Sequence, residues 1–408
     1  MTETQQTVLA ILKACITGEQ LRLPSPSEQI NWSLVYKEFH DQAITLFPSK
    51  MLSALPLDTE TRKKWEKENV WHLYNMIQMT TVQSRVTKLM ETQGIPCAVL
   101  KGTAASAYYP DPHLRILGDV DLLFREKDVE AAAKLLEKEG ARLNESGLYV
   151  RHMGATLDKV HFELHRYFSN KKTPSDSKLD QELVSALDRR HPFSIDNYSF
   201  PMLPEKENGL VLLEHIHHHL PGNLGLRQLM DFLFYADRVL TDAYWEKTFC
   251  PIAKEIGLDT LARTVVMIGK LYFGTGKELH WCDNADPELC SFLLETLFSQ
   301  GNMGRKNDRI TRAATTQFSR SRHLGDLLRY EQRSGLSHWK TAQKHKVLYP
   351  AATVYGIFRH SLLLIKDRGG AKKLKNISDQ SACHRTLMNK LGLTSEEQRK
   401  SGKDNSAS

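Results

Sequence analysis

Two aspartates lie close together in an otherwise apolar stretch, LRILGDVDLLF, at residues 114–124. Because successive side chains of a strand point to opposite faces, Asp119 and Asp121 share one face. Val120 and Leu122 share the other, apolar face. Two carboxylates this close repel each other, and a divalent cation between them relieves the repulsion. The pattern therefore predicts a metal site on one face of a strand.

A third acidic residue follows in a second strand-like segment, HFELH, at residues 161–165. The apolar residues on either side of Glu163 point the other way, so the carboxylate lies on the polar face. Three carboxylates can hold two Mg²⁺ ions about 3.5–4 Å apart, an arrangement that aligns the attacking and leaving oxygens in phosphoryl transfer. Asp119, Asp121 and Glu163 are therefore the candidate catalytic and metal-binding residues.

A phosphate-binding turn is predicted upstream, where the apolar strand CAVL, residues 97–100, leads into a helix at Gly102 and Thr103. The first backbone N–H groups of a helix can bind an anion, and glycine allows a phosphate to approach closely. Thr103 adds a hydroxyl donor. Lys101 and Arg115 are candidate partners for phosphate oxygens, which arginine can bind through two hydrogen bonds. We therefore expect these four residues to contact a nucleotide.

The histidine run HIHHH, residues 215–219, is a second candidate metal site, because His215 and His219 are spaced i, i+4 on one helix. A zinc-binding HExxH motif would place an acid between such histidines, and no fourth ligand is evident. We therefore assign no metal to this run.

A central block of strands and helices positions these residues between helical flanks. Residues 4–92 keep apolar side chains at helical spacing, and the period changes after the glycine and proline at 94 and 96. The next hundred residues alternate as a small mixed sheet with helices on one side would, so the predicted class is α+β. We expect a helical N-terminal region at 1–92, a core at 93–203, a helical domain at 204–299, a basic connection and helices at 300–368, and a disordered tail at 369–408.

The composition excludes several classes of protein. The chain has 408 residues, 41% of them hydrophobic, and can bury a substantial core. Its six cysteines are scattered without a CxxC pair, so we expect reduced thiols in a cytoplasmic protein rather than structural zinc or disulfides. The apolar run at 347–365 is interrupted by Arg359 and His360, which makes it a poor membrane span.

Positive charge is concentrated toward the C-terminal end. The net charge is +7, but residues 301–408 alone contain 22 Lys and Arg against 8 Asp and Glu. One hypothesis is a solvated helical appendage. The other is peripheral contact of 301–408 with an anionic surface, a membrane leaflet first and another polyanion second, since an apolar helix with basic flanks can rest in a membrane interface. We expect no sequence-specific nucleic-acid binding, because no such module is evident.

Together these patterns resemble the nucleotidyltransferases of the DNA polymerase β superfamily, most closely a branch of largely uncharacterised bacterial ones. That branch is marked by LKG, then YP and an arginine, then GDxDLL, a later xELH, a histidine-rich helix, and LRQ followed by an aspartate. The corresponding positions here are 100–102, 109–110, Arg115, 118–123, 163–165, 215–219, 226–228 and Asp231.

The resemblance implies a minimal polymerase-β-like nucleotidyltransferase core with Mg²⁺ or Mn²⁺ as cofactor. The substrate would be an NTP, whose NMP passes to an unidentified acceptor such as a saccharide or natural-product intermediate. Glu163, the third carboxylate, would draw off the proton of the acceptor hydroxyl. The histidine-rich helix and the LRQ segment look like the lid of the site, where Arg227 and Asp231 either bind substrate or pair with each other. His165 either has a role at the site or bonds the backbone at a strand end.

Two other functions fit the same residues, because a fold does not fix a function. The first is a nucleotidylating toxin that acts on a protein or a tRNA, which would arrest growth on expression in a way that depends on Asp119. The second is a non-catalytic nucleotide-binding protein of the same fold. The intact acidic triad argues against the second, since an unused cluster of buried like charges is costly to retain.

Overall fold

The computed structural model describes residues 1–144, 151–169, 174–320, 324–365 and 370–393. It contains one sheet with the strands β1 (Cys97–Leu100), β2 (Val120–Phe124), β3 (Arg142–Leu143), β4 (His152–Leu157), β5 (Val160–His165), β6 (His191–Ile195) and β7 (Tyr198–Met202). Their spatial order is β3-β4-β5-β2-β1-β7-β6. The sheet is mixed, because β2 pairs antiparallel with β1 and parallel with β5.

Helices precede, connect and follow the strands. They are α1 (Glu3–Thr17), α2 (Trp32–Asp41), α3 (Thr59–Thr92), α4 (Gly102–Ser106), α5 (Val129–Lys138), α6 (Pro174–Ser185), α7 (Glu205–His219), α8 (Leu226–Val239), α9 (Asp242–Tyr244), α10 (Cys250–Glu255), α11 (Asp259–Ile268), α12 (Pro287–Gln300), α13 (Arg309–Arg320), α14 (Leu324–His338), α15 (Lys340–Lys344), α16 (Tyr349–Ile365) and α17 (Gly370–Lys390). The π-helical turns Trp245–Phe249 and Gly269–Phe273 adjoin α10 and α11. The predicted α+β class with helical flanks is confirmed.

The two faces of the sheet pack against different helices. On one face, Leu122 belongs to an apolar cluster with Val86 of α3 and Leu136 of α5. On the other face, Leu123 shares a cluster with apolar residues of α7 and α8. The sequence predicted helices on one side only, but α7 and α8 cover the second side. Asp121 alternates with Leu122 and therefore lies on the face toward α7 and α8.

The strand register places the two acidic strands side by side. Asp121 of β2 pairs with Glu163 of the parallel strand β5. It also pairs with Leu100, the last residue of the antiparallel strand β1. Lys101 follows Leu100 directly, so the register brings one basic and two acidic residues to the same edge of the site.

The strands of the structure differ from the predicted ones in several places. β2 begins at Val120, so Asp119 lies just before the strand rather than within it. The sequence did not predict β6 or β7, which pair with each other. Each contains a proline, Pro192 or Pro201, and proline disfavours the interior of a strand.

Helices replace two irregular segments that were predicted near the C-terminal end. α13 lies within the predicted basic connection, and α17 lies where the sequence predicted a disordered tail. These two helices pack against each other. α17 buries Ile377, His384 and Leu387, so the prediction of disorder was wrong for this helix. Residues 394–408 of the predicted tail lie outside the described residues, and the division into domains stays a prediction.

α14 and α16 form a close antiparallel hairpin. A Cβ atom added to Gly335 would collide with the backbone oxygen of Ala352, and one added to Gly356 would collide with that of Glu331. Glycine at both crossing points therefore lets the two helices approach each other. Among the helices that the structure describes, none is both long and apolar enough to cross a membrane.

Candidate functional site

A cleft between the sheet and helices α7 and α8 holds most of the predicted site residues. Its volume is about 470 Å³. The predicted residues that line it are Lys101, Gly102, Arg115, Asp119, Asp121, Glu163 and Arg227. Thr103, His165 and Asp231 are not among its lining residues. Residues that the sequence placed in one site thus do come together in one cleft.

The three predicted metal-binding carboxylates meet at one side of the cleft. One oxygen of each of Asp119, Asp121 and Glu163 lies within 4.8 Å of the other two. Cross-strand pairing brings Asp121 beside Glu163, and the segment just before β2 supplies Asp119. Hard oxygen donors of this kind are the ligands that Mg²⁺ and Mn²⁺ prefer. The donor set therefore fits a divalent cation.

Neighbouring charges shift the pKa values of the two aspartates in opposite directions. The Asp121 carboxylate, followed by desolvation within the cleft, raises the pKa of the exposed Asp119. Burial would also raise the pKa of Asp121, but Lys101 and a hydrogen bond with His165 hold it well below its usual range. Lys101 Nζ and His165 Nε2 each lie 2.8 Å from Asp121 Oδ1. Asp121 is therefore ionised at neutral pH.

The backbone at the predicted phosphate turn is unusual. Lys101 has a φ of 50° and Gly102 a φ of 37°, so two successive residues are in the left-handed region. Glycine adopts this region freely, whereas lysine rarely does, and such strained residues cluster at functional sites. The Thr103 hydroxyl accepts a hydrogen bond of 2.6 Å from Gln83 Nε2. Its contact with a phosphate therefore stays a prediction.

Three residues of the recognised sequence pattern form one buried network. Arg115 Nε and Nη2 donate to the two carboxylate oxygens of Asp231, at 2.8 and 2.7 Å. The Tyr109 hydroxyl donates to the same carboxylate at 2.7 Å. Burial, followed by Asp231, raises the pKa of Tyr109 well above its usual range, so the hydroxyl keeps its proton. The network ties α8 to the segment that leads into β2.

Arg227 faces the cleft, and no carboxylate of the described residues forms a salt bridge with it. Its Nη1 donates to the Ile116 carbonyl oxygen at 3.0 Å, while its Nε is buried without a hydrogen-bond partner. The predicted pairing with Asp231 is not found, because Asp231 binds Arg115. Burial, followed by Arg115, lowers the pKa of Arg227 to about 10, so the guanidinium stays charged at neutral pH. A half-buried cation with an unused, buried Nε donor suits an anionic ligand.

A family model described as an uncharacterised nucleotidyltransferase matches residues 28–274. The match covers more than half of the chain and includes every predicted site residue. The chain belongs to this family. The resemblance seen in the sequence is thereby confirmed at the level of the family. No protein of curated function matches the chain.

The histidine-rich end of α7 lines the cleft of this nucleotidyltransferase. His215, His218 and His219 all belong to the lining, and the ring centres of His215 and His219 are 4.7 Å apart. Burial, followed by Lys101, lowers the pKa of His215 well below its usual range, so its ring is neutral. In the described part of the chain, the groups of side chains that could hold a metal do not include this run.

Five further residues line the cleft of the nucleotidyltransferase without having been predicted: Arg151, His161, Phe168, Glu214 and Met303. The alternation of HFELH places His161 on the face of Glu163, so the sequence did carry a signal for it. Arg151 and Phe168 reach the cleft together, with the guanidinium 5.8 Å from the ring centre. Met303 lies beyond the residues that the family model matches, so the C-terminal part of the chain also contributes to the site.

Proposed function

We propose that this nucleotidyltransferase moves an NMP from an NTP to a hydroxyl group of an acceptor and releases pyrophosphate. The acceptor oxygen forms a bond to the α-phosphorus, and the bond from that phosphorus to the oxygen bridging it to the β-phosphate breaks. The observation that carries the proposal is the convergence of three carboxylates, Asp119, Asp121 and Glu163, with the cations of Lys101 and Arg227 in one cleft.

The three carboxylates would hold one or two divalent cations, with Mg²⁺ as the first choice and Mn²⁺ as the second. The support is the donor set, since it consists of acidic oxygens close enough to share an ion. When bound, such ions would neutralise negative charge on the phosphate oxygens. Asp119 and Asp121 lie on the strand side of the cleft, and Glu163 lies beside them on the neighbouring strand.

Lys101 and Arg227 would bind the phosphate oxygens of the NTP. Arg227 has a buried donor without a partner, and the Lys101 ammonium already lies at the carboxylate edge. Gly102, with no side chain, would let a phosphate approach the turn. Arg115 would act chiefly through its charge, because Asp231 occupies its Nε and Nη2.

Glu163 would accept the proton of the acceptor hydroxyl. Burial opposes its ionisation, but a hydrogen bond from His165 lowers the pKa of Glu163 below its usual range. It is therefore ionised at neutral pH and can take up a proton. The cleft has the volume of a small-molecule site, which suits an NTP. A saccharide or natural-product intermediate is the first class of acceptor to test.

The test is to supply each NTP, labelled at the α-phosphorus, with Mg²⁺ or Mn²⁺ and a cell extract. Fractionation into protein, nucleic acid and small molecules then identifies the class that carries the label. We expect label in the small-molecule fraction, and none with Asp119→Asn. Asp119-dependent label in protein or tRNA would support the toxin instead. No label in any fraction would refute the proposal.

We also propose that the hairpin of α14 and α16 contacts an anionic membrane surface. The exposed face of α16 carries Val354, Phe358 and Leu362, which are 66%, 60% and 38% exposed. Residues 324–365 contain six Lys and Arg against two acidic residues. An apolar helix face with basic flanks fits the interface of an anionic leaflet, where both features are stabilising.

A further inference from the structure

We propose that His152, Glu163 and His165 form a second metal site, which binds a transition metal such as Mn²⁺ in preference to Mg²⁺. This site adjoins the carboxylate site and shares Glu163 with it. The role of the neighbouring carboxylate site rests on the proposed function. The second site itself can be detected by metal binding alone.

The strand register creates this second group. β4 and β5 are antiparallel neighbours, and His152 pairs directly with His165. On β5 the side chains of His161, Glu163 and His165 alternate with buried apolar ones, so they share one face with His152 of β4. Two imidazoles and a carboxylate therefore project from adjacent strands into the same space.

The distances allow one ion to reach all three side chains. One ligand atom of each of His152, Glu163 and His165 lies within 4.8 Å of the other two. Glu163 faces both histidines, with Oε1 3.4 Å from His152 Nε2 and Oε2 3.2 Å from His165 Nε2. One oxygen of Glu163 also belongs to the group with Asp119 and Asp121. A carboxylate in this position can bridge two ions.

The ring nitrogens of the two histidines allow metal binding at this place. The Nδ1 atoms of His152 and His165 have no hydrogen-bond partner in the described structure, so no contact prevents them from carrying the ring proton. The Nε2 atoms, which face Glu163, can then bind an ion. That ion would take the place of the proton through which His165 Nε2 bonds Asp121.

The donor chemistry separates the two sites. Imidazole nitrogen suits transition metals such as Zn²⁺ and Fe²⁺ best. Mn²⁺, which also takes oxygen ligands, accepts imidazole more readily than Mg²⁺, which prefers oxygen ligands and water. A site with two imidazoles and one carboxylate would therefore select a transition metal. The all-carboxylate group beside it would accept Mg²⁺ or Mn²⁺.

The test uses the full chain and Mn²⁺ alone, with binding followed by calorimetry and by electron spin-echo spectroscopy, which detects directly coordinated nitrogen. We expect nitrogen coupling in the unaltered protein and in His161→Gln, a matched control on the same strand face. In His152→Gln we expect Mn²⁺ affinity to fall at least tenfold and the nitrogen coupling to weaken. Thermal melting of each variant checks that it is folded.

The proposal is overturned if Mn²⁺ bound to the unaltered protein shows no nitrogen coupling. It is also overturned if a folded His152→Gln protein keeps both the affinity and the coupling. Asp119→Asn should keep the nitrogen coupling, because Asp119 belongs only to the carboxylate group. Nitrogen coupling without any nucleotide transfer would support this site and refute the proposed function. Failure of the second metal site can therefore be distinguished from failure of the proposed function.

Discussion

Two arginines of the cleft have different partners, and the difference separates a structural role from a substrate role. Arg115 is buried and forms a bidentate pair with the buried Asp231. Arg227 donates to one carbonyl oxygen and leaves its Nε without a partner. Breaking a buried ion pair leaves an uncompensated charge in the interior, whereas removing an arginine that has no ion-pair partner leaves none. The first change should affect folding, and the second should affect binding.

Arg227→Ala should raise the KM for the NTP at least tenfold and leave the melting temperature near that of the unaltered protein, since a phosphate contact is lost. Arg115→Ala should instead lower the free energy of unfolding by about 3–5 kcal/mol, the typical cost of stranding one partner of a buried pair. Steady-state kinetics and urea unfolding measure the two effects. An unchanged KM in a folded Arg227→Ala protein would contradict the phosphate role.

The helix α17 is held to the body of the protein by a buried histidine. His384 Nδ1 lies 3.1 Å from Ser319 Oγ of α13, and its Nε2 contacts the side-chain amide of Gln300. Burial lowers the pKa of His384 from its ordinary 6.5 to about 4. The docked helix therefore requires a neutral imidazole.

This histidine predicts a pH dependence at the level of the helix. Between pH 6.5 and about 4 the released helix takes up a proton that the docked helix does not. The free energy that favours the docked helix is therefore greatest above pH 6.5 and decreases as the pH falls. At pH 5 the decrease is about 2 kcal/mol. Hydrogen exchange over 370–393, corrected for intrinsic rates, should show less protection at pH 5 than at pH 7. His384→Gln should remove the difference, and equal protection in the unaltered protein would contradict this account.

The α17 helix could not be predicted from the sequence. Its buried residues Ile377, Ser381, His384 and Leu387 follow a helical spacing, but two of the four are polar. Periodicity of apolar residues therefore gave little signal there, and the lysine-rich start of the helix favoured disorder. Packing against α13 supplies the stabilisation that the local sequence does not show.

The site was predictable where its residues lie close in sequence. The alternation around Asp121 and around Glu163 was sufficient to assign their faces, and the family pattern supplied the remaining residues. Contacts set by strand register, such as Lys101 with Asp121 or His152 with His165, were not predictable, because local spacing does not determine which strands pair. The pair of Arg115 with Asp231 joins distant segments and had no local signal.

At the scale of the whole molecule, charge and exposed apolar surface coincide on the α14 and α16 hairpin. A second exposed apolar group lies on α3, where Tyr74 is 66% exposed. Basic residues accompany the hairpin, so it is the better candidate for an anionic leaflet. Tyr74 therefore serves as a matched control for Phe358, which is 60% exposed.

The full chain should sediment with anionic vesicles at low salt, less at high salt, and not with neutral vesicles. Phe358→Asp should weaken binding about tenfold, because it removes an apolar contact and adds a negative charge near the leaflet, whereas Tyr74→Asp should not. Equal binding of the Phe358→Asp and unaltered proteins would contradict the proposed contact. Binding to RNA or an acidic glycan but not to vesicles would show that the partner of the hairpin is a different polyanion and not a membrane.

In the proposed function, Asp119, Asp121 and Glu163 serve nucleotidyl transfer rather than phosphoryl transfer or binding alone. The most direct measurement compares an NTP labelled at the α-phosphorus with the same NTP labelled at the γ-phosphorus, in Asp119→Asn and in a control, Asp158→Asn. Asp158 is a half-exposed surface aspartate paired with Arg85, so its loss should not affect the cleft. We expect that only the α-label reaches the acceptor, that pyrophosphate is released, and that, of the two variants, only Asp119→Asn abolishes both. Transfer of the γ-label, or unaltered transfer by a folded Asp119→Asn protein, would contradict the proposed function.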